Sequence, residues 1–190
     1  MNIIVSADMN WGIGKDKRLL FWIPPDMRFF QEKTIGGAVI MGRKTLESLP
    51  GGNPLKDRIN IVMTRNPELL ESKPREINES PDTGSDNRLI ICRDVRELAA
   101  RLKELAFARD RVWVIGGAEI YRLLLPYSKE AFVTRVLTEA PQVDYRMVNL
   151  DEAEGWARIE TGDVREWEGL RYRFDRYENI NLFLDAEKTI

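Results

Sequence analysis

The sequence predicts an α/β fold: a single domain with a mainly parallel central sheet, helices on both faces, and an antiparallel C-terminal hairpin at one edge. Three observations carry this. Short apolar runs alternate with short helical segments along most of the chain, the pattern of a sheet covered by helices. Several runs, such as Val112-Trp113-Val114-Ile115, are continuously apolar, as strands buried on both faces must be. Near the end, Leu170, Tyr172 and Phe174 alternate with Arg171, Arg173 and Asp175, the period-2 signature of a half-buried edge strand. A chain of 190 residues with no internal repeat suits one domain, expected over 1–190.

Met1 to Ala7 reads as a buried strand, followed by a glycine-punctuated loop from Asp8 to Pro24. A helix is expected from about Pro25 to Thr34, stopped by Gly36-Gly37. Ala38 to Met41 reads as a strand, Thr45 to Leu49 as a short helix, and Arg58 to Met63 as a strand. The polar, proline-bearing stretch 66–87 reads as an exposed loop. Arg88 to Cys92 is expected as a strand, Val95 to about Phe107 as a helix, and Val112 to Ile115 as a strand. Ala118 to Leu125 is expected as a helix stopped at Pro126, and Phe132 to Leu137 as a strand.

Composition removes whole classes of chemistry. There is no histidine and a single cysteine, Cys92, so His-based triads, imidazole metal sites and thiolate zinc clusters are excluded. Acid/base work falls to carboxylates, lysine, tyrosine or bound water. With 29 basic and 31 acidic residues, net −2, no general basic field points to nucleic acid or membrane. The lone cysteine suits a reducing compartment, and the N-terminus lacks the charge and apolar length of a signal peptide. A cytoplasmic monomer without a metal is expected, acting on a small molecule.

Open parallel sheets bind ligands at the carboxyl ends of their strands, and three strand exits look suited to phosphate. The run Gly116-Gly117-Ala118-Glu119-Ile120-Tyr121 places a glycine pair before a helix; it is either a tight turn or an anion cradle. Gly42-Arg43-Lys44-Thr45 places two cations at a helix start, where the helix dipole disfavours them; they are either a solvated pair or partners of a pyrophosphate. Thr64-Arg65 ends a third strand with a hydroxyl and a guanidinium, an ordinary surface ending or a further phosphate grip. No GxGxxG fingerprint is present.

The stretch Phe21-Trp22-Ile23-Pro24-Pro25-Asp26-Met27-Arg28-Phe29-Phe30 sets one acid among apolar neighbours. Pro25 and Asp26 suit a helix start. At 100° per residue, however, Asp26 lies about 40° from Phe30 and about 60° from Phe29, beside the core. A carboxylate there needs a partner, its pKa tends upward, and a flat heterocycle with N–H donors would satisfy it.

Taken in order, Trp11-Gly12-Ile13-Gly14, Ile23-Pro24 with Asp26, Val39 to Thr45, and Val114 to Tyr121 resemble dihydrofolate reductases of the bacterial type, over roughly the first 140 residues. The resemblance implies NADPH-dependent reduction of dihydrofolate to tetrahydrofolate. It makes Asp26 the catalytic acid that binds the pterin, with Thr134 bonding its carboxylate. Ile4, Val5, Met27, Phe30, Leu55, Ile115 and Tyr121 would line the substrate pocket, and Arg58 would grip the glutamate α-carboxylate. Ser6, Ile13 and Gly14 would approach the nicotinamide. Arg43, Lys44 and Thr45, with Ile115, Gly116, Gly117, Ala118, Glu119 and Ile120, would hold the cofactor, Thr64 and Arg65 reading its 2′-phosphate.

The chain departs from the family at Phe21, where a tryptophan is usual, at Leu20, where proline is common, and at Val143, which replaces a glycine before Asp144. Two rivals are a reductase of riboflavin biosynthesis, which does not call for an acid opposite Arg58, and a non-catalytic pyridine-nucleotide binder.

Overall fold

The computed structural model describes residues 1–71 and 88–181. The strands are β1 (Asn2–Ala7), β2 (Gly12–Gly14), β3 (Ala38–Gly42), β4 (Ile59–Met63), β5 (Leu89–Cys92), β6 (Val112–Gly116), β7 (Glu130–Val136), β8 (Tyr145–Arg146), β9 (Trp156–Thr161), β10 (Arg165–Trp167) and β11 (Leu170–Asn179). The α-helices are α1 (Pro24–Thr34), α2 (Arg43–Ser48), α3 (Glu68–Glu71), α4 (Val95–Leu105) and α5 (Ala118–Leu124). The main sheet runs β10-β11-β7-β1-β6-β3-β4-β5, with β9 also on β11, while β2 and β8 form a separate small ribbon. From β7 to β5 the pairing is parallel; β11 joins β7 antiparallel and β10 closes the hairpin.

The pleat sends alternate residues of each strand into two core layers. Ile3, Val5, Ala38, Ile40, Ile61 and Val114 pack on one side, with Leu98 of α4 and Leu124 of α5. Ile4, Val39, Met41, Val62 and Trp113 pack on the other, against Phe29 and Phe30 of α1 and Leu46 of α2. Helices therefore cover both faces, as the continuous apolar runs require.

Local chemistry places the helices. Pro24 and Pro25 begin α1, Asp26 sits in its first turn and Lys33 in its last, each matching the dipole. Asp94 caps α4 by accepting from the Glu97 amide at 2.8 Å, and Glu97 reaches back to the Arg93 amide at 2.8 Å.

Most predicted elements stand with ends moved by a residue or two. Two expectations change. The stretch 66–87 is not an exposed loop throughout: Glu68–Glu71 is helical, and Leu70 is buried against the α1 side of the core. Two leucines between acids, Glu68-Leu69-Leu70-Glu71, gave too short a pattern to show a single turn. The remainder of that stretch, from 72 to 87, lies outside the described residues. The Asp8 to Pro24 loop contains β2, whose partner β8 is more than a hundred residues away in sequence.

Candidate active site

Asp26 is 6% exposed, and its Oδ1 accepts a 2.6 Å hydrogen bond from the Thr134 hydroxyl of β7. Burial raises its pKa above the usual aspartate range, and the Thr134 bond opposes that only in part. Tyr121 of α5 is buried nearby and donates to the Ile4 carbonyl at 2.9 Å; burial and the Asp26 charge both push its phenol upward. The acid thus stands where α1, β1, β7 and α5 come together.

Around it, Ile4, Phe30, Leu55 and Ile115 share the core layer on the α1 side, and Met27 is half-buried. Val5 differs: the pleat turns its side chain into the opposite layer, so only its main chain can face the Asp26 side. Arg58 is buried at 6% exposure, its guanidinium carbon 5.9 Å from the Phe30 ring centroid. Its Nε donates to Thr34 Oγ1 at 2.8 Å, while the Thr34 hydroxyl donates to the Phe30 carbonyl at 2.8 Å. A second bond runs from Arg58 Nη1 to the Lys56 carbonyl. Burial lowers the Arg58 pKa, as expected for a desolvated cation. Asp26 and Thr34 stand about 12 Å apart along α1, at ~1.5 Å per residue. An acid and a cation thus mark the two ends of one helix.

Asn60 explains how Arg58 and Leu55 are held. It is buried in β4, accepts from the Leu55 amide at 2.9 Å, and donates to the carbonyls of Leu55 at 2.9 Å and Arg58 at 3.0 Å. Sequence reasoning passed over both Asn60 and Thr34. The available signal was an asparagine inside the apolar run Ile59-Asn60-Ile61, since a buried amide must be paired.

The three strand exits lie side by side, because β6, β3 and β4 are consecutive in the sheet. A Cβ on Gly42 would stand 3.1 Å from Ile120, and one on Gly117 would stand 3.4 Å from Thr45 Oγ1. The starts of α2 and α5 therefore face each other, and neither Gly42 nor Gly117 supplies a side-chain cap. Gly116 has φ +111, and a Cβ there would meet the Tyr121 ring at 3.0 Å, so glycine is required. The strand exits thus bring the small residues Gly42, Thr45 and Gly117 close together, with Lys44 and Glu119 exposed beside them and Ala118 half-buried. Of the two cations at this helix start, Arg43 pairs through Nη1 with Glu47 one turn on, at 2.7 Å. On the next strand Thr64 is half-buried and Arg65 exposed.

Ser6 is paired with Thr134 in the sheet register, and Ile13 and Gly14 lie in β2 beside β1. The loop around β2 is bound to the segment before β8: the Asp144 amide donates to the Gly14 carbonyl at 3.0 Å, and the Asp16 amide to Asp144 Oδ2 at 2.8 Å. The Val143 side chain occupies space above Gly12, where a Cβ would lie 2.9 Å from its methyls. Phe21 packs on Ile23, Val136 and Tyr172, whereas Trp22 turns outward at 70% exposure and does not replace the missing indole. Among the described residues no acid or thiol cluster could hold a metal, and no helix is long and apolar enough to cross a membrane.

Comparison with known proteins gives one consistent answer. The family described as dihydrofolate reductase matches residues 1–179. The chain is 35% identical over 202 residues to the dihydrofolate reductase of Gallus gallus, covering 96% of this chain and 97% of that one. It is 32% identical over 183 residues to that of Bacillus subtilis, covering 95% of each. The viral dihydrofolate reductase of Saimiriine herpesvirus 2 is 33% identical over 205 residues, covering 97% of this chain and 87% of the relative.

Proposed function

Since the chain belongs to the dihydrofolate reductase family and its activity is dihydrofolate reduction, we propose that NADPH is the reductant and that Asp26 binds and activates the pterin. The observation that carries this is the buried Asp26 carboxylate, held by Thr134 with one oxygen bonded and a pKa raised by burial. The pterin's exocyclic amino group and ring N–H present two donors to that carboxylate, satisfying its remaining lone pairs. Phe30, Ile115 and Ile4 supply flat apolar walls for the ring. About 12 Å along α1, Arg58 is turned by Thr34 and the Lys56 carbonyl to receive the glutamate α-carboxylate in a planar fork. The spacing suits an elongated substrate with a heterocycle at one end and an acid at the other.

When bound, NADPH supplies a hydride to C6 of the pterin. The chain's own part is to direct the accompanying proton to N5, so that the N5=C6 bond is reduced. By bonding the amino and N–H groups, Asp26 favours electron density at N5, and water delivers the proton there. Thr45, Gly116 and Gly117 would border the diphosphate, Arg43 and Lys44 would add positive charge, and Thr64 with Arg65 would hold the 2′-phosphate. Ser6, Ile13 and Gly14 would face the nicotinamide. The product feeds one-carbon metabolism, and the enzyme acts as a cytoplasmic monomer.

The test is oxidation of NADPH by the purified protein with dihydrofolate, compared with NADH and with Asp26→Asn. The expected result is preference for NADPH and a loss of about 10²-fold or more in the variant at neutral pH, with the fold retained. Near-normal turnover by Asp26→Asn would sink the assigned role of Asp26.

A further inference from the structure

Trp11 adopts φ +60, a conformation that bulky side chains rarely take and that persists only when surroundings over-determine it. The restraints are identifiable. Its amide donates to the Asp8 carbonyl at 3.1 Å, and its carbonyl accepts from the Met147 amide at 2.9 Å. Its ring lies edge-on to Tyr177, with centroids 5.8 Å apart, and carries the Arg135 guanidinium 3.8 Å from the ring centroid.

Arg135 is itself buried, and its donors are directed. Nη1 donates to the Asp8 carbonyl at 3.1 Å, while Nη2 donates to Asp151 Oδ2 at 3.0 Å and to the Tyr177 hydroxyl at 3.3 Å. The Tyr177 hydroxyl in turn donates to Asp151 Oδ1 at 2.8 Å. Asp8 organises the turn from within: Oδ1 accepts from the amides of Asn10 at 2.9 Å and Gly12 at 2.7 Å, and Oδ2 accepts from the Ala140 amide at 3.0 Å. Arg135 thus pins both ends of the Asp8-to-Trp11 turn to the C-terminal strand β11. That turn leads directly into Gly12-Ile13-Gly14.

We propose that Arg135 is a positioning residue for cofactor binding: through the Asp8 carbonyl and the Trp11 ring it holds the turn that aims Ile13 and Gly14 at the nicotinamide. The cofactor half of this rests on the reading of those two residues given above; the positioning half does not. Arg135 follows Thr134 in β7, and the pleat places them on opposite faces, one serving the pterin acid and the other the nicotinamide loop. A lysine cannot reproduce it, since a point ammonium neither forks between Asp8 and Asp151 nor stacks flat on indole.

The experiment uses Arg135→Met and Arg135→Lys in the full chain. The Asp8 carbonyl retains the Trp11 amide in both, and the centre of β7 stays paired on two sides. Two readouts are taken without turnover: the Kd values of NADPH and of folate for the free enzyme, and hydrogen exchange at the Gly12 and Met147 amides. For Arg135→Met, the NADPH Kd is expected to rise about tenfold or more while that of folate stays within about threefold, as for one strained element released. Exchange at Gly12 and Met147 should accelerate about tenfold while β6 amides are unchanged, and Arg135→Lys should fall between. If Arg135→Met does not fold, the lysine variant carries the same comparison. Parallel loss of both ligands, or NADPH affinity and loop exchange like the wild type, overturns the proposal. Wild-type enzyme that fails to bind NADPH would instead overturn the cofactor reading, with the exchange data still deciding whether Arg135 holds the turn.

Discussion

Asp26 and Thr134 are 108 positions apart in sequence and 2.6 Å apart in space, and their bond only partly offsets the burial of a carboxylate. This has a thermodynamic consequence. Because the folded-state pKa is raised, the folded protein keeps a proton that the unfolded chain has already lost between the ordinary aspartate pKa and the raised one. Stability attributable to Asp26 therefore falls as pH rises through that window, and above it the ionised group is a net cost. Asp26→Asn should melt at or above the wild-type temperature at pH 7, with the gap closing as pH drops below the ordinary aspartate range. Thermal melts across pH check this. A variant that melts lower at every pH would show that the Thr134 bond outweighs desolvation. The expected pattern is the familiar exchange of stability for activity at a site.

The elements that matter most are short. Helices α2 and α5 each follow a glycine at a strand end, and neither glycine caps its helix with a side chain. A Cβ at Gly117 meets only Thr45 Oγ1 within 4 Å, at 3.4 Å, whereas at Gly116 it would face the Tyr121 ring in a left-handed backbone. The two glycines should therefore separate in experiment. Gly117→Ala is expected to leave the melting temperature nearly unchanged while weakening NADPH about tenfold or more, because the added methyl enters the cradle. Gly116→Ala should lower stability outright, through φ strain and overlap. Calorimetry and titration of NADPH report the two effects separately. If NADPH binds Gly117→Ala as tightly as the wild type, the diphosphate does not lie there.

Across the whole molecule, the two core layers make the sheet a divider: α1 and α2 lie on one side, α4 and α5 on the other. Cys92 ends β5 on the α4 side, fully buried, its thiol pushed up to about 11 chiefly by burial. It is expected to resist thiol reagents in the native protein and to react fully in denaturant, making its labelling rate a probe of opening of the β5–α4 region. Rapid labelling under native conditions would show that this edge of the sheet opens on its own.

The continuous strands, the period-2 edge strand, the helices' positions and the acid at the start of α1 were legible in the sequence, because each depends on neighbours within a few positions. Four motifs in order were enough to indicate the family. Position in the sheet was a different matter. That β6, β3 and β4 stand side by side, bringing three weak phosphate signals to one place, follows from strand order. The burial of Arg58 by Thr34 and its support from Asn60, the pairing of Arg43 with Glu47, and the outward turn of Trp22 also needed the fold. So did Arg135 over Trp11, contacts between residues more than a hundred positions apart. Periodicity and capping are local and survive in one dimension; which side chain meets which across a sheet is set by register and packing, which exist only in three.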